Sequence, residues 1–374
     1  MLVENSKMIY RGSDELAKVY RGDTVVWERD RDYSLEYLTF KNVGNSDGIF
    51  NYGCVYSTSP VYLDIEISKN SGPWVHYSAA TSEYKTLSRG EIMKVRGNNN
   101  SYNGDGYFSV MGVSGNTNSH VFGNIMSLIH GDDFVGKTTL GSENKDCFAG
   151  LFYGYNTGYK LTSAKNLILP ATVLSYHCYG GLFQYCPYLQ DAPQLPATTL
   201  AYDCYNSMFR GCTSLASAPE LPATTLAARC YRSMFEGCTS LTSAPELPAT
   251  TLADYCYYSM FYGCTGLTSA HELPATTLAE NCYRYMFYGC SSLAEAPELP
   301  APVLVDYCYY EMFSGCSSLN YVKCLATTNI SDYNHNTYHW LSDTRSRGTF
   351  VKDASTWWPR NTSGIPSSWT VVDA

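Results

Sequence analysis

The sequence predicts an α/β solenoid preceded by small β domains, and three observations predict it. Cysteines recur every 26 residues at Cys178, Cys204, Cys230, Cys256, Cys282 and Cys308, and a second set keeps the same step at Cys186, Cys212, Cys238, Cys264, Cys290 and Cys316. Each unit joins a proline-bounded apolar run to apolar residues spaced four apart. Upstream, short Tyr/Val/Ile-rich runs alternate with Gly/Asn/Ser clusters such as residues 97–106. A fixed period of this length marks stacked units, none of which can bury its apolar face alone.

Taken in chain order, residues 1–30 hold two short alternating runs, KMIY and KVYRGDTVVWE, and read as a small β module. The charged stretch at 28–32 reads as a linker. Residues 31–140 read as a β-sandwich-like domain. Residues 141–320 hold a degenerate first copy, at Cys147, Leu151 and Phe152, and then six repeats. Residues 321–374 form a cap over the last strand, whose edge would otherwise be open.

Within a unit, Leu241, Ala244 and Leu247 face one side of a short extended segment, and Pro245 and Pro248 limit its ladder. Thr251 reads as a helix N-cap with Asp254 completing a capping box. Cys256, Met260 and Cys264, with Tyr257 and Phe261 beside them, then form one face of a short helix that stops at Gly263. On such a helix the paired cysteines lie about 12 Å apart along the axis, too far for an internal bridge. Their spacing fits neither zinc nor redox chemistry, so they read as small buried hydrophobes, with bridges between neighbouring repeats left open.

The composition bounds the function. Of 374 residues 45% are hydrophobic and 16% charged, and the net charge is −9. That supports a large core and argues against nucleic acid or an anionic membrane as the partner. No apolar run is long enough to insert into a membrane, and no signal peptide is visible at the N-terminus. The 34 tyrosines stand out, because tyrosine gives stiff contact area with a polar tip.

The strings MFEGCTSLTSAPELP (234–248) and MFYGCTGLTSAHELP (260–274) resemble the core of BspA-like leucine-rich repeat proteins, bacterial surface and phage-associated adhesion proteins. The resemblance covers about residues 145–325. Residues 348–374 resemble the segment that closes such arrays in gut bacteria and their phages. Residues 17–28 resemble short β modules of phage tail and fibre proteins. The resemblance implies a leucine-rich-repeat-like solenoid with one short strand and one short helix per repeat. It also implies a non-enzymatic adhesin or receptor-binding protein on a virion or phage particle, or elsewhere outside the cell, that recognises a cell-surface protein or glycan. A bacterial cell-surface adhesin is the alternative, and an enzyme with a site in residues 31–140 is the remote one. A tail fibre would make a homotrimer the expected assembly.

Three local motifs read as ordinary structure. Residues 131–138 match the P-loop pattern, yet Asp132 and Asp133 would repel phosphate and no helix start follows. Arg21-Gly22-Asp23 reads as a turn, because Tyr10-Arg11-Gly12-Ser13 repeats it. His335 and His339 have a zincin spacing without the glutamate. No catalytic residue, metal site or cofactor is expected.

The informative signal is variation among the repeats. The apolar columns barely change, while the opposite face varies among Tyr, Arg, Asn, Asp and Ser and holds no Lys. The candidate ligand-binding residues are Tyr202, Arg210, Arg229, Arg232, Tyr255, Tyr258, Tyr262, Arg284, Tyr285, Tyr288, Tyr307 and Tyr310, a paratope-like mixture. A second candidate is the acidic stripe of Glu220, Glu246, Glu272 and Glu298, with His271 beside it, for a cationic ligand or Ca²⁺.

Overall fold

The computed structural model describes residues 32–54, 64–77, 85–104, 107–330 and 335–374, with the backbone of three N-terminal strands. Those strands are β1 (Ser6–Met8), β2 (Lys18–Arg21) and β3 (Thr24–Glu28), paired antiparallel in that order. Gly22 and Asp23 of the tripeptide, its copy at 10–13 and most of the linker lie outside the described residues.

Alternating runs build two sheets that face each other. One has the order β10 (Asn103–Gly104), β11 (Tyr107–Ser114), β5 (Gly48–Cys54), β8 (Thr86–Leu87). The other runs β13 (Lys160–Ser163), β12 (Asn118–Asn124), β4 (Leu38–Asn42), β9 (Ile92–Gly97), β6 (Ile65–Lys69), β7 (Val75–His76). Inward residues alternate along each strand, as the pleat requires: Ile65 and Ile67, Met93 and Val95, Met111 and Val113 are all buried. Phe40 of one sheet meets Phe50 of the other at 5.3 Å. Two strands past residue 140, β13 and β14 (Leu167–Ile168), pair in parallel with β12. The repeats thus grow directly from a sheet edge, which leaves that edge covered.

The repeats contain no helix. Among the described residues the one α-helix is Ser127–His130. Where a helix was expected, the chain makes consecutive tight turns with a four-residue period. In the rung 201–212, Cys204, Asn206, Met208, Arg210 and Cys212 donate their N–H to the carbonyl three residues back. Asp203, Tyr205, Ser207, Phe209 and Gly211 donate instead to Ala228, Cys230, Arg232, Met234 and Glu236 of the next rung. From Asp203 to Cys212 every amide is satisfied, half of them across rungs. A helix would spend its amides inside the rung and leave the rungs joined by side chains alone.

The turn geometry requires a left-handed residue at every fourth position. Asp203, Ser207 and Gly211 have φ of +58°, +57° and +74°. Gly263, expected to stop a helix, is the third such position of its rung at +69°. The expected capping box does not form either: Thr251 bridges to Thr277, and the Asp254 carboxylate accepts from the Glu280 N–H of the next rung. The expected strand of each repeat is also reduced, to isolated bridges such as Ser243↔Ser269 and Leu299↔Cys324, because the prolines remove ladder donors.

Two of every four turn residues point inward. Cys256, Tyr257, Met260, Phe261 and Cys264 are at most 1% exposed, and Leu241, Ala244 and Leu247 close the other side. Stacking aligns them into columns. The inner tyrosines Tyr179, Tyr205, Tyr231, Tyr257, Tyr283 and Tyr309 lie 5.7–6.1 Å apart. The phenylalanines from Phe183 to Phe313 lie 5.5–5.7 Å apart. Both columns begin on upstream residues, through Tyr102–Phe148 and Phe40–Phe152, and the tyrosine column ends on Trp340 and Trp358. One hydrophobic core therefore runs through the β sheets, the solenoid-like stack and the C-terminal segment.

The cysteines have a specific place. The second of each pair donates its S–H across the rung, as Cys238 to the Phe209 carbonyl at 3.1 Å and Cys264 to that of Phe235 at 3.0 Å. All described cysteines are free and buried. At the far end β15 (Tyr321–Cys324), β16 (Thr349–Lys352) and β17 (Thr370–Asp373) form a parallel sheet that continues the stack.

Candidate functional site

The period of four that buries two columns turns the other two outward, and every residue of the candidate ligand-binding set lies there. Tyr202 and Tyr262 are exposed, at 39% and 36%. Arg210, Arg229, Arg232, Tyr255, Tyr258, Arg284, Tyr285, Tyr288, Tyr307 and Tyr310 are half-buried. They are half-buried because they pack on one another. Arg229 lies between the rings of Tyr202 and Tyr255, 5.2 Å from each, and Arg232 lies over Tyr258 at 5.1 Å. Arg284 sits over Tyr285, Tyr307 and Tyr310, closest to Tyr310 at 4.3 Å. Tyr262 and Tyr288 stack at 4.7 Å, and Tyr285 meets Tyr258 and Tyr310 edge-on. The result is a continuous, pre-ordered surface of rings and guanidinium groups.

Its electrostatics follow from that packing. Desolvation, then neighbouring Tyr285 and Glu311, push the Tyr310 phenol up to about 12. Desolvation likewise raises Tyr258 and Tyr262. The hydroxyls therefore stay protonated at neutral pH and can both donate and accept.

Backbone strain bears on these same residues. Arg229, Tyr255, Tyr285 and Tyr307 occupy left-handed positions, with φ of +56° to +58°. Such a φ suits Gly, Asn or Asp and costs a bulky side chain about 1–2 kcal/mol. Drift on a free surface would fill these positions with the residues that fit them. We expect Tyr255→Asn to leave stability unchanged or raise it by up to about 1 kcal/mol in urea denaturation, since Asn tolerates the turn. A loss above about 1 kcal/mol would show that the ring is there for packing.

The surface is larger than the sequence reading made it. Tyr176 stacks on Tyr202 at 5.7 Å, and the Arg210 guanidinium lies over Tyr185 at 5.8 Å. Tyr338 stacks on Tyr310 at 5.0 Å and His339 on Tyr338 at 4.1 Å. Tyr176 was findable one period before Tyr202. Tyr338 was not, because the last rung is offset by 28 residues from Tyr310 instead of 26. His335 and His339 both lie on this outward face, in left-handed positions of that rung.

The acidic stripe lies elsewhere on the repeats. Glu220, Glu246 and Glu272 are exposed, and Glu298 is paired with Lys323 at 3.0 Å. A groove of about 460 Å³ opens between residues 216–222 and 242–248, with Glu220, Glu246 and His271 on its rim. The P-loop-like residues begin in a 3₁₀ turn, Gly131–Asp133, after the short helix and not after a strand. Asp132 there accepts from the Tyr37 hydroxyl at 2.8 Å and from Arg96 at 2.6 Å.

Residues 230–341 match the family model of the BspA type leucine-rich repeat region, in six copies. Regions of this type are typically surface-exposed and are generally protein-interaction modules. No curated protein matches the chain, and no solved structure does. Among the described residues no helix is long and apolar enough to cross a membrane.

Proposed function

We propose that this protein is a non-enzymatic adhesin that binds a cell-surface macromolecule through the outward Tyr/Arg columns of its repeats. The observation that carries the reading is the strain at Arg229, Tyr255, Tyr285 and Tyr307: large recognition side chains held where glycine or asparagine would be more stable. The tyrosine-and-arginine composition and the mutual ordering of the rings support it, because little rotamer entropy remains to be lost on binding. The family match over residues 230–341 is consistent with an interaction role. In this reading the glutamate stripe is a solvated face.

The setting is a phage tail or fibre, supported by the resemblance of residues 17–28 to modules of such proteins. A bacterial cell-surface adhesin is the alternative setting, and the same face would serve it. Labelled protein should bind to a susceptible bacterial or host cell. Replacing Tyr258, Tyr262, Tyr285 and Tyr288 together by Ser should abolish that binding while the thermal transition persists. Undiminished binding by the folded variant would discard this face.

A further inference from the structure

One outward column carries Arg210, Glu236, Tyr262 and Tyr288 on successive rungs. Tyr288 covers one face of the Tyr262 ring, nearly parallel at 2°. On the other side the preceding rung offers Glu236, and among the described residues no ring or cation lies over that face. The stack of rings stops there and leaves one aromatic face unpaired. Beside it is a pocket of about 410 Å³, which Ser233 and Ser259 also line. Two of its charged groups form a fixed pair: an Arg210 guanidinium nitrogen lies 2.8 Å from a Glu236 carboxylate oxygen.

We propose that this slot binds the pyranose ring of a neutral glycan, with the sugar's C–H face on Tyr262 and vicinal hydroxyls on the Arg210–Glu236 pair. A pyranose needs that combination: one apolar platform and planar groups that accept and donate in pairs at its edge. Two arginines, Arg210 and Arg232, and two glutamates, Glu236 and Glu311, line the pocket, so their charges balance and no net field favours an anionic sugar. An aromatic side chain of a protein ligand fits less well. It would strip water from the charged groups that line the pocket without offering them hydrogen bonds. The spacing suits a polymer as well, since rungs recur at 5.5–5.7 Å in the phenylalanine column, about the length of one sugar unit in an extended glycan.

This inference rests on the outward face being the binding face. The test is an array of neutral oligosaccharides ending in glucose, galactose, mannose, N-acetylhexosamine or fucose. Sialylated and sulfated glycans and Tyr/Trp-containing peptides are printed beside them and probed with the full chain. We expect a subset of neutral glycans to bind. Tyr262→Ala and Glu236→Gln should each weaken that binding about tenfold, and Tyr262→Phe should retain it. Should Tyr262→Ala melt at a lower temperature, Glu236→Gln decides. Binding confined to anionic glycans or aromatic peptides, no binding at all, or full binding by the variants would overturn the proposal. Cell binding by the same proteins separates the two readings. If the four-tyrosine variant loses cell binding while the neutral spots stay empty, the face stands and the sugar slot falls.

Discussion

Above about pH 9 the protein should lose stability steeply and unfold by about pH 10.5. Burial pushes the thiols of Cys178, Cys212, Cys264, Cys282, Cys316 and Cys324 up to about 12. In the unfolded chain they ionise near the ordinary value of about 8.5. Between these values the folded state holds protons that the unfolded state has released. Stability is therefore complete below the unfolded value and falls as pH rises toward the folded one. Each thiol contributes a slope of about 1.4 kcal/mol per pH unit, so these six alone give about 8 kcal/mol per unit. A domain stability of about 5–15 kcal/mol is exhausted within one to two units. The buried phenols of the inner tyrosine column add to the effect at higher pH, since desolvation holds Tyr205 and Tyr257 well above their ordinary value. Urea unfolding followed by circular dichroism from pH 7 to 11 checks this. A stability that stays flat to pH 11 would mean that the cysteines are not sealed in the core.

Replacing Phe261 with Ala should cost about 3–5 kcal/mol. Its ring is fully buried between Phe235 at 5.7 Å and Phe287 at 5.5 Å, so its loss weakens the contact with both neighbouring rungs. Energies in stacked repeats are largely those of such interfaces. The adjacent residue gives the contrast. Tyr262 points outward, and Tyr262→Ala should cost less than about 1.5 kcal/mol, the worth of its ring contacts. Denaturation midpoints of the two variants, measured side by side, give the comparison. Similar losses would contradict a period of four with two residues in and two out.

That period was half legible in the sequence. The Cys, Met, Phe and Leu columns and the 26-residue step identify which residues are buried. A four-residue spacing of Cys256, Met260 and Cys264 is nevertheless almost the spacing of one helical face, so the apolar pattern fits helix and turn ladder alike. The discriminating signal is on the other columns. Asp203, Ser207 and Gly211, or Asn281 and Gly289, are residues that accept a left-handed backbone. Tyr255, Tyr285 and Tyr307 at equivalent positions hide that signal. The outward placement of the candidate residues survives the change from helix to turns, because both geometries oppose them to the same core. How they touch was not legible. Tyr262 stacks on Tyr288 and Arg229 lies between two rings because cross-rung hydrogen bonds align each column, and those bonds come with the turns. The continuity of the core into the β sheets was hidden as well, since Phe40 and Tyr102 lie far upstream of the repeats whose columns they begin.

The most direct measurement is tyrosine nitration mapped by mass spectrometry, on the free protein and on protein bound to its target cells. We expect Tyr202, Tyr255, Tyr258, Tyr262, Tyr285, Tyr288, Tyr307 and Tyr310 to be modified in the free protein and protected on the cell surface, with Tyr179 through Tyr309 of the inner column unmodified in both. Nitration of the inner column in folded protein, or outward tyrosines that remain equally reactive on the cell, would contradict a sealed interior that presents its outer rings to a ligand.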